Sequence, residues 1–236
     1  MRIEKAIIMA AGKGERLRPA TINTPKPLVK VNGRVMIETI IDALMANNIS
    51  DIYIVVGYLK EKFNELNLKY PNITLIENPY FDTCNNISSM YVAKDYLENS
   101  IVIDGDQIIE DNKILNNKIE KSGYSCQWTD THTEEWLFQT NKDGIVRDCS
   151  RNGGKSGWQL FGISRWNQED GKLLSELVDR EFNRGNTDIY WDDIPMFVCK
   201  ESFKLGYYPI PKNSIVEIDN FKELCEIDPS YQGDKR

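Results

Sequence analysis

From Lys5 to Pro19 the chain reads Lys-Ala-Ile-Ile-Met-Ala-Ala-Gly-Lys-Gly-Glu-Arg-Leu-Arg-Pro, and the stretch Thr24 to Leu28 follows as Thr-Pro-Lys-Pro-Leu. An apolar run that meets a glycine loop predicts a strand buried on both faces, which is the usual state of a parallel strand under helices. Ala10, Ala11, Gly12 and Gly14 have little or no side chain, so their backbone N–H groups can approach anionic oxygens closely. Lys13, Arg16 and Lys26 supply countercharge. The segment is suited to a nucleoside triphosphate. It is neither of two common phosphate loops: a dinucleotide fingerprint needs a third glycine where Leu17 stands, and a Walker loop needs a Gly-Lys-Ser/Thr ending. The later run Gly153-Gly154-Lys155-Ser156 has that ending, but Cys149 occupies the place of the first Walker glycine.

The rest of the first half alternates strands and helices. Met36, Ile37, Ile40, Ile41, Leu44 and Met45 recur at helical spacing. Ile52 to Val56, Thr74 to Ile76 and Ile101 to Asp104 read as buried strands, and Ser89 to Leu97 reads as a helix. This predicts an α/β fold: a Rossmann-like, mostly parallel mixed sheet with helices on both faces. After Asp106 the strand candidates (Trp136 to Thr140, Ile145 to Val146, Gln159 to Ser164) are short and divided by polar turns, which predicts antiparallel additions. A helix is expected from about Lys172 to Phe182, with a late strand at Val216 to Ile218 and a helix at Phe221 to Glu226. Residues 1–227 are expected to form a single domain, and 228–236 a polar tail or the start of a linker.

With 236 residues and 41% hydrophobic content the chain can build one large core, and its net charge of −7 argues against nucleic acid as a partner. The five cysteines are widely spaced with no Cys-x-x-Cys pair, so neither a disulfide framework nor a zinc site is indicated. No apolar run reaches the length of a membrane span, and no signal segment is evident, so a cytoplasmic protein is expected.

Several constellations bear chemistry. Ile101 to Asp106 is an apolar strand ending in Asp104-Gly105-Asp106. Carboxyl ends of parallel strands face the ligand crevice, which makes Asp106 a candidate ligand for Mg²⁺, while Asp104 reads equally well as a cap. Glu217 and Asp219 share a face of a late strand. Lys26 is held between Pro25 and Pro27. Gly57-Tyr58 follows a strand, and Asn85, Asn86 and Ser88 precede a helix, so both groups lie at sheet-edge loops where a pyrimidine can be read. Trp136 follows Glu134-Glu135, and Tyr190-Trp191 is followed by Asp192-Asp193; aromatic faces beside carboxylates suit a trimethylammonium cation that has no N–H to donate. Trp128, Trp158 and Trp166 read as structural, Trp158 being the best candidate for addition to the pocket. His132 is the single histidine and reads as a surface residue.

The Ala-Ala-Gly-x-Gly, Arg-Leu-x-Pro and Pro-Lys-Pro-Leu strings resemble those of the sugar-phosphate nucleotidyltransferase superfamily. The Asn-Asn-x-x-Ser, Glu-Trp, Tyr-Trp-Asp and Glu-Ile-Asp segments make the chain similar, from Lys5 to Phe221, to the bacterial CTP:phosphocholine cytidylyltransferases. The resemblance implies transfer of a cytidylyl group from CTP to phosphocholine, giving CDP-choline and pyrophosphate. It further implies that Asp219 shares Mg²⁺ with Asp106, that Lys26 faces the reacting phosphates, and that Trp136, Tyr190 and Asp192 hold the choline cation. Alternative acceptors are phosphoethanolamine, 2-aminoethylphosphonate or a sugar 1-phosphate, and a non-catalytic nucleotide-binding module is the alternative of a different class.

Overall fold

The structure is a computed structural model that describes residues 1–233. Its first half contains β1 (Lys5–Ala10), the short hairpin β2 (Lys30–Val31) and β3 (Arg34–Val35), α1 (Met36–Ala46), β4 (Asp51–Val56), α2 (Asn64–Lys69), β5 (Ile73–Glu77), α3 (Ile87–Ala93), β6 (Ser100–Asp104) and β7 (Gln107–Ile109). The second half adds β8 (Gly123–Thr129), β9 (Leu137–Thr140), β10 (Val146–Ser150), β11 (Gly157–Trp166), α4 (Gln168–Asn183), β12 (Gly206–Pro209), β13 (Ile215–Glu217) and α5 (Phe221–Ile227).

Among the described residues nine strands form the main sheet, along the path β10-β9-β11-β6-β1-β4-β5, with β8 paired to β11 and β12 to β8. β6, β1, β4 and β5 are parallel. β11 turns the sheet antiparallel, pairing Ile163 with Ile103. The expected mixed sheet is therefore present. β8 and β12 lay outside the sequence-based strand assignments, because their polar and aromatic content blurs a two-residue period.

β1 shows why the sheet is covered on both sides. Ala6, Ile8 and Ala10 join the core against Ile37, Ile40 and Leu44 of α1, whereas Ile7 joins the opposite core with Met90 of α3 and Leu174 and Val178 of α4. Alternate residues of one strand thus feed two cores. The chain runs from β1 to β4 and β5 on one side, then returns to β6 on the other. The crevice at such a switch point opens above the carboxyl ends of β1 and β6, where the glycine loop and Asp104 to Asp106 stand.

Residues Asp228 to Gly233, part of the segment expected as a polar tail or the start of a linker, are tied to the first half of the chain. Asp228 accepts from Asn32 N (2.7 Å), the Tyr231 hydroxyl donates to Lys30 O (2.8 Å), and Tyr231 packs on the small core around Leu17, Met36 and Leu224. A polar composition concealed two anchoring contacts. Residues 234–236 lie outside the described residues. No helix among the described residues is long and apolar enough to cross a membrane.

α4 lies against the turn that follows α3, and the contact depends on Gly171, where an added Cβ would sit 2.4 Å from Leu97 O. Gly171→Ala gains helix propensity of about 1 kcal/mol but overpacks a rigid carbonyl, for which about 2 kcal/mol or more is typical. The expected result is a net loss, read as a melting temperature lowered by a few degrees. A raised melting temperature would show that the contact relaxes freely.

Candidate active site

β1 ends where the backbone turns back on itself. Gly14 has φ +60°, and a Cβ there would meet Lys26 Cβ at 2.8 Å, so only glycine lets the loop lie against the Lys26 segment. The Thr21 hydroxyl fastens that fold by donating to Gly14 O (2.8 Å). By contrast, a Cβ on Gly12 would meet nothing within 4 Å. The smallness of Gly12 serves the open side of the loop, where a ligand would approach.

Asp106 follows β6 through Gly105, whose N–H donates to Met9 O (2.9 Å) and brackets the two strand ends together. β7 then pairs antiparallel with β13, with Gln107 opposite Glu217 and Val216 opposite Ile108. This two-stranded ribbon carries the C-terminal acids to the crevice. Asp219 is fixed by the cap of α5: Asn220 accepts from Glu223 N (3.0 Å), and the Glu223 carboxylate accepts from Asp219 N (2.7 Å). Lys26 Nζ consequently lies 2.7 Å from Asp106 and 3.9 Å from Asp219, and Arg16 is 3.0 Å from Asp219. Lys26 is buried along its stem, while both carboxylates remain partly open to the cavity. Lys13 is paired with Asp82 and lines an adjoining hollow with Arg16 and Phe81.

The cavity above the strand ends holds ≈450 Å³. At one end are Ala10, Ala11, Gly12, Gly14, Arg16 and Lys26; at the other are Trp136, Tyr190, Asp192 and Leu160. Asp106 and Asp219 lie with Lys26, and Glu135, Glu217 and Asp104 also line the cavity. Gly162 of β11 makes room for Asp104, since a Cβ there would fall 2.0 Å from its Oδ2. Burial pushes the Asp104 pKa well up, reinforced by Asp106, Asp192 and Glu217 and opposed by Lys26. Burial likewise lifts Glu217 to about 7, with Asp106 adding to it and the Gln107 amide, 2.9 Å away, opposing it.

At the aromatic end, Trp191 is buried against Tyr124 and Trp166, with ring centroids 6.3 and 6.0 Å away. It anchors a turn whose neighbours Tyr190 and Asp192 both reach the cavity. Trp136 meets Tyr190 edge-on (5.9 Å, 83°). It also meets Phe197, on the π-helical turn Ile194–Val198, at 5.7 Å. Phe197 and Arg151 were not anticipated from sequence; both lie in irregular segments with no periodic signal.

Other positions read from the sequence have different surroundings. Tyr58 does not line the cavity: its hydroxyl donates to Ile22 O (2.8 Å), its N–H donates to Ala11 O (3.1 Å), and Gly57 packs under Phe81. Both brace the glycine loop from behind. Asn85 ties the start of α3 to Thr187 O and Asp188 O. Asn86 lines the cavity and accepts from Trp191 N (2.9 Å). Ser88 is buried, bonded to Asn78 and Asn85, and the serine at the cavity is its neighbour Ser89. Trp158 packs with Trp128 and Tyr207, away from the cavity lining. His132 is exposed.

A glycine loop on β1, a lysine shared between a strand-end aspartate and a late aspartate, and a crevice at the switch point define a nucleotidyl-transferring enzyme. Residues 5–135 match the Nucleotidyl transferase family, and the chain belongs to it. A choline-phosphate cytidylyltransferase of Streptococcus pneumoniae is 37% identical over 95% of this chain and 96% of its own length. A 2-aminoethylphosphonate cytidylyltransferase of Lancefieldella rimae is 36% identical over 96% of this chain and 92% of its own. The solved CTP:phosphocholine cytidylyltransferase of S. pneumoniae superposes with a TM-score of 0.90 at 35% identity, covering 98% of this chain and 99% of that one.

Asp192 offers a test of the cavity's electrostatics. Burial raises its pKa from 3.8 to about 7; the nearby Tyr124 hydroxyl opposes the rise and Asp193 adds to it. The folded state therefore holds a proton that the unfolded chain releases earlier. The associated stability is fully present below about pH 4 and is lost as pH rises through 7. Asp192→Asn should leave the melting temperature of the ligand-free protein nearly unchanged at pH 4.5 and raise it at pH 8. An equal shift at both pH values would mean that Asp192 titrates normally.

Proposed function

We propose that the protein transfers a cytidylyl group from CTP to phosphocholine in the cytoplasm. A phosphocholine oxygen attacks the α-phosphorus of CTP, the bond from that phosphorus to the bridging oxygen breaks, and CDP-choline and pyrophosphate leave. The observation that carries this reading is one cavity with a lysine and paired aspartates at the glycine-loop end and an aromatic corner with a desolvated carboxylate at the other. The phosphate monoester is already an anionic nucleophile at neutral pH, so no general base is needed. The residues act by positioning and by charge.

In this reading the backbone from Ala10 to Gly14, with Arg16 and Lys13, binds the triphosphate. Lys26 exchanges its bond with Asp106 for the reacting phosphate and stabilises charge that grows toward the transition state. The base lies near Asn86 and Ser89, both at the cavity wall.

The donor set fits Mg²⁺. Asp106 and Asp219 converge on one ammonium, both face the cavity, and the set is all oxygen. No closed cluster of three or more acid, histidine or cysteine ligands occurs among the described residues, which suits an ion whose remaining positions are filled by phosphates and water. Asp106 and Asp219 would hold the ion, which when bound neutralises phosphate charge.

The charge assignment makes a kinetic prediction. Lys26→Ala and Asp106→Asn should each lower kcat on the order of a hundredfold or more, with a much smaller change in the KM for CTP, because their contribution is largest in the transition state. An effect confined to the CTP KM would reduce either residue to a triphosphate clamp.

Acceptor choice is tested with pyrophosphate release on a panel of phosphocholine, phosphoethanolamine and 2-aminoethylphosphonate. Phosphocholine should be preferred, since its cation gains from aromatic faces what it lacks in N–H donors. Trp136→Leu and Tyr190→Leu should each raise its KM about tenfold, leave that for CTP unchanged and narrow the preference. The second reading, 2-aminoethylphosphonate as acceptor, is favoured by the L. rimae relative and by the number of carboxylates near the aromatic corner, which can accept from a primary ammonium. Preference for that compound in the wild type would establish it.

A further inference from the structure

We propose that Arg151 is a positioning residue for acceptor selectivity, a resident cation that sets the aromatic corner from outside the cavity. The proposal rests on the acceptor assignment above and adds to it a residue in no motif of the chain. Arg151 follows β10, and its guanidinium carbon lies 4.3 Å from the ring centre of Phe197 and 5.8 Å from that of Trp136. A planar guanidinium stacks on aromatic faces as an ammonium does not, so its location orients both rings.

The cation is itself fixed. Arg151 pairs with Asp193 at 2.5 Å, and the Asp193 side chain is only 3% exposed. The other Asp193 oxygen accepts from the Tyr190 N–H (3.0 Å). A single buried carboxylate therefore couples the Tyr190 backbone to the guanidinium that bears on Trp136 and Phe197. The Arg151 and Trp136 loops are also strapped together. Thr133 and Gly154 exchange two backbone hydrogen bonds (3.1 and 3.0 Å), and Gly153, at φ +64°, approaches so closely that a Cβ would lie 1.8 Å from Thr133 O. Rings, cation and carboxylate form one unit, and Arg151 is its exposed end.

The test is steady-state kinetics of the wild type, Arg151→Leu, Arg151→Lys and Asp193→Asn, with phosphocholine and phosphoethanolamine as acceptors. Arg151→Leu should raise the phosphocholine KM roughly two- to fivefold, the range for a partly exposed cation–π contact. The KM for CTP should stay unchanged and the preference over phosphoethanolamine should narrow. Arg151→Lys keeps the charge beside Asp193 but loses the planar stack, so its acceptor KM should fall between those of wild type and Arg151→Leu. Unchanged acceptor kinetics, or a loss of kcat alone, would overturn the proposal. If Arg151→Leu shows no melting transition, Asp193→Asn, which retains an acceptor for Tyr190 N–H, must give the same KM shift, and its absence would overturn the proposal. A wild type that does not use phosphocholine defeats the acceptor assignment instead, and the Arg151 inference is then judged on the KM of the acceptor it does use.

Discussion

The Lys26 ammonium is the point on which this molecule converges. It reaches Asp106 from the end of β6 and Asp219 from the cap of α5, two carboxylates brought together only because β7 and β13 pair. Pro25 and Pro27 limit the lysine's backbone, and Gly14 packs against its Cβ, so the glycine loop and the charge centre are a single object. Each cation of the glycine-loop end has a carboxylate partner: Lys13 has Asp82, Arg16 has Asp219 and Lys26 has Asp106. A ligand that takes one of these cations must displace the carboxylate already bound to it.

The two ends of the cavity are built on different principles. The glycine-loop end uses backbone and ion pairs at the carboxyl edge of parallel strands. The aromatic end uses rings held by a buried core, with Trp191 sunk between Tyr124 and Trp166 while its neighbours Tyr190 and Asp192 reach the cavity. The antiparallel half of the sheet supplies that core and, through Gly162, the space for Asp104. Relatives with different acceptors share this chain's length and much of its sequence.

Legibility in the sequence followed the same division. The parallel half could be read because β1, β4 and β6 are continuous apolar runs that lead to glycine or aspartate, and Lys26, Arg16, Asp106 and Asp219 stand in short strings that resemble those of the nucleotidyltransferases. Tyr58 and Ser88 illustrate the limit. Both lie at the right sheet edge, but Tyr58 turns its hydroxyl back to Ile22 O, and one position along α3 separates buried Ser88 from Ser89 at the cavity. The Asn-Asn-x-x-Ser string, counted from Asn85, ends at Ser89 and not at Ser88, whereas for Tyr58 direction within a loop depends on tertiary bonds that local pattern does not encode. Arg151 and Phe197 were invisible for the same reason: their meaning lies in contacts between a turn and a π-helical segment distant in sequence.

The cavity's charge balance also bears on traffic. Six carboxylates, Asp104, Asp106, Glu135, Asp192, Glu217 and Asp219, line it against two cations, Arg16 and Lys26. Even with the proton-retaining acids neutral, the field there is not one that draws in a bare polyanion. With Asp104, Glu135, Asp192 and Glu217 holding their protons, Asp106 and Asp219 are left to balance Arg16 and Lys26, so the lining passes from near neutral to strongly acidic as those four buried acids ionise.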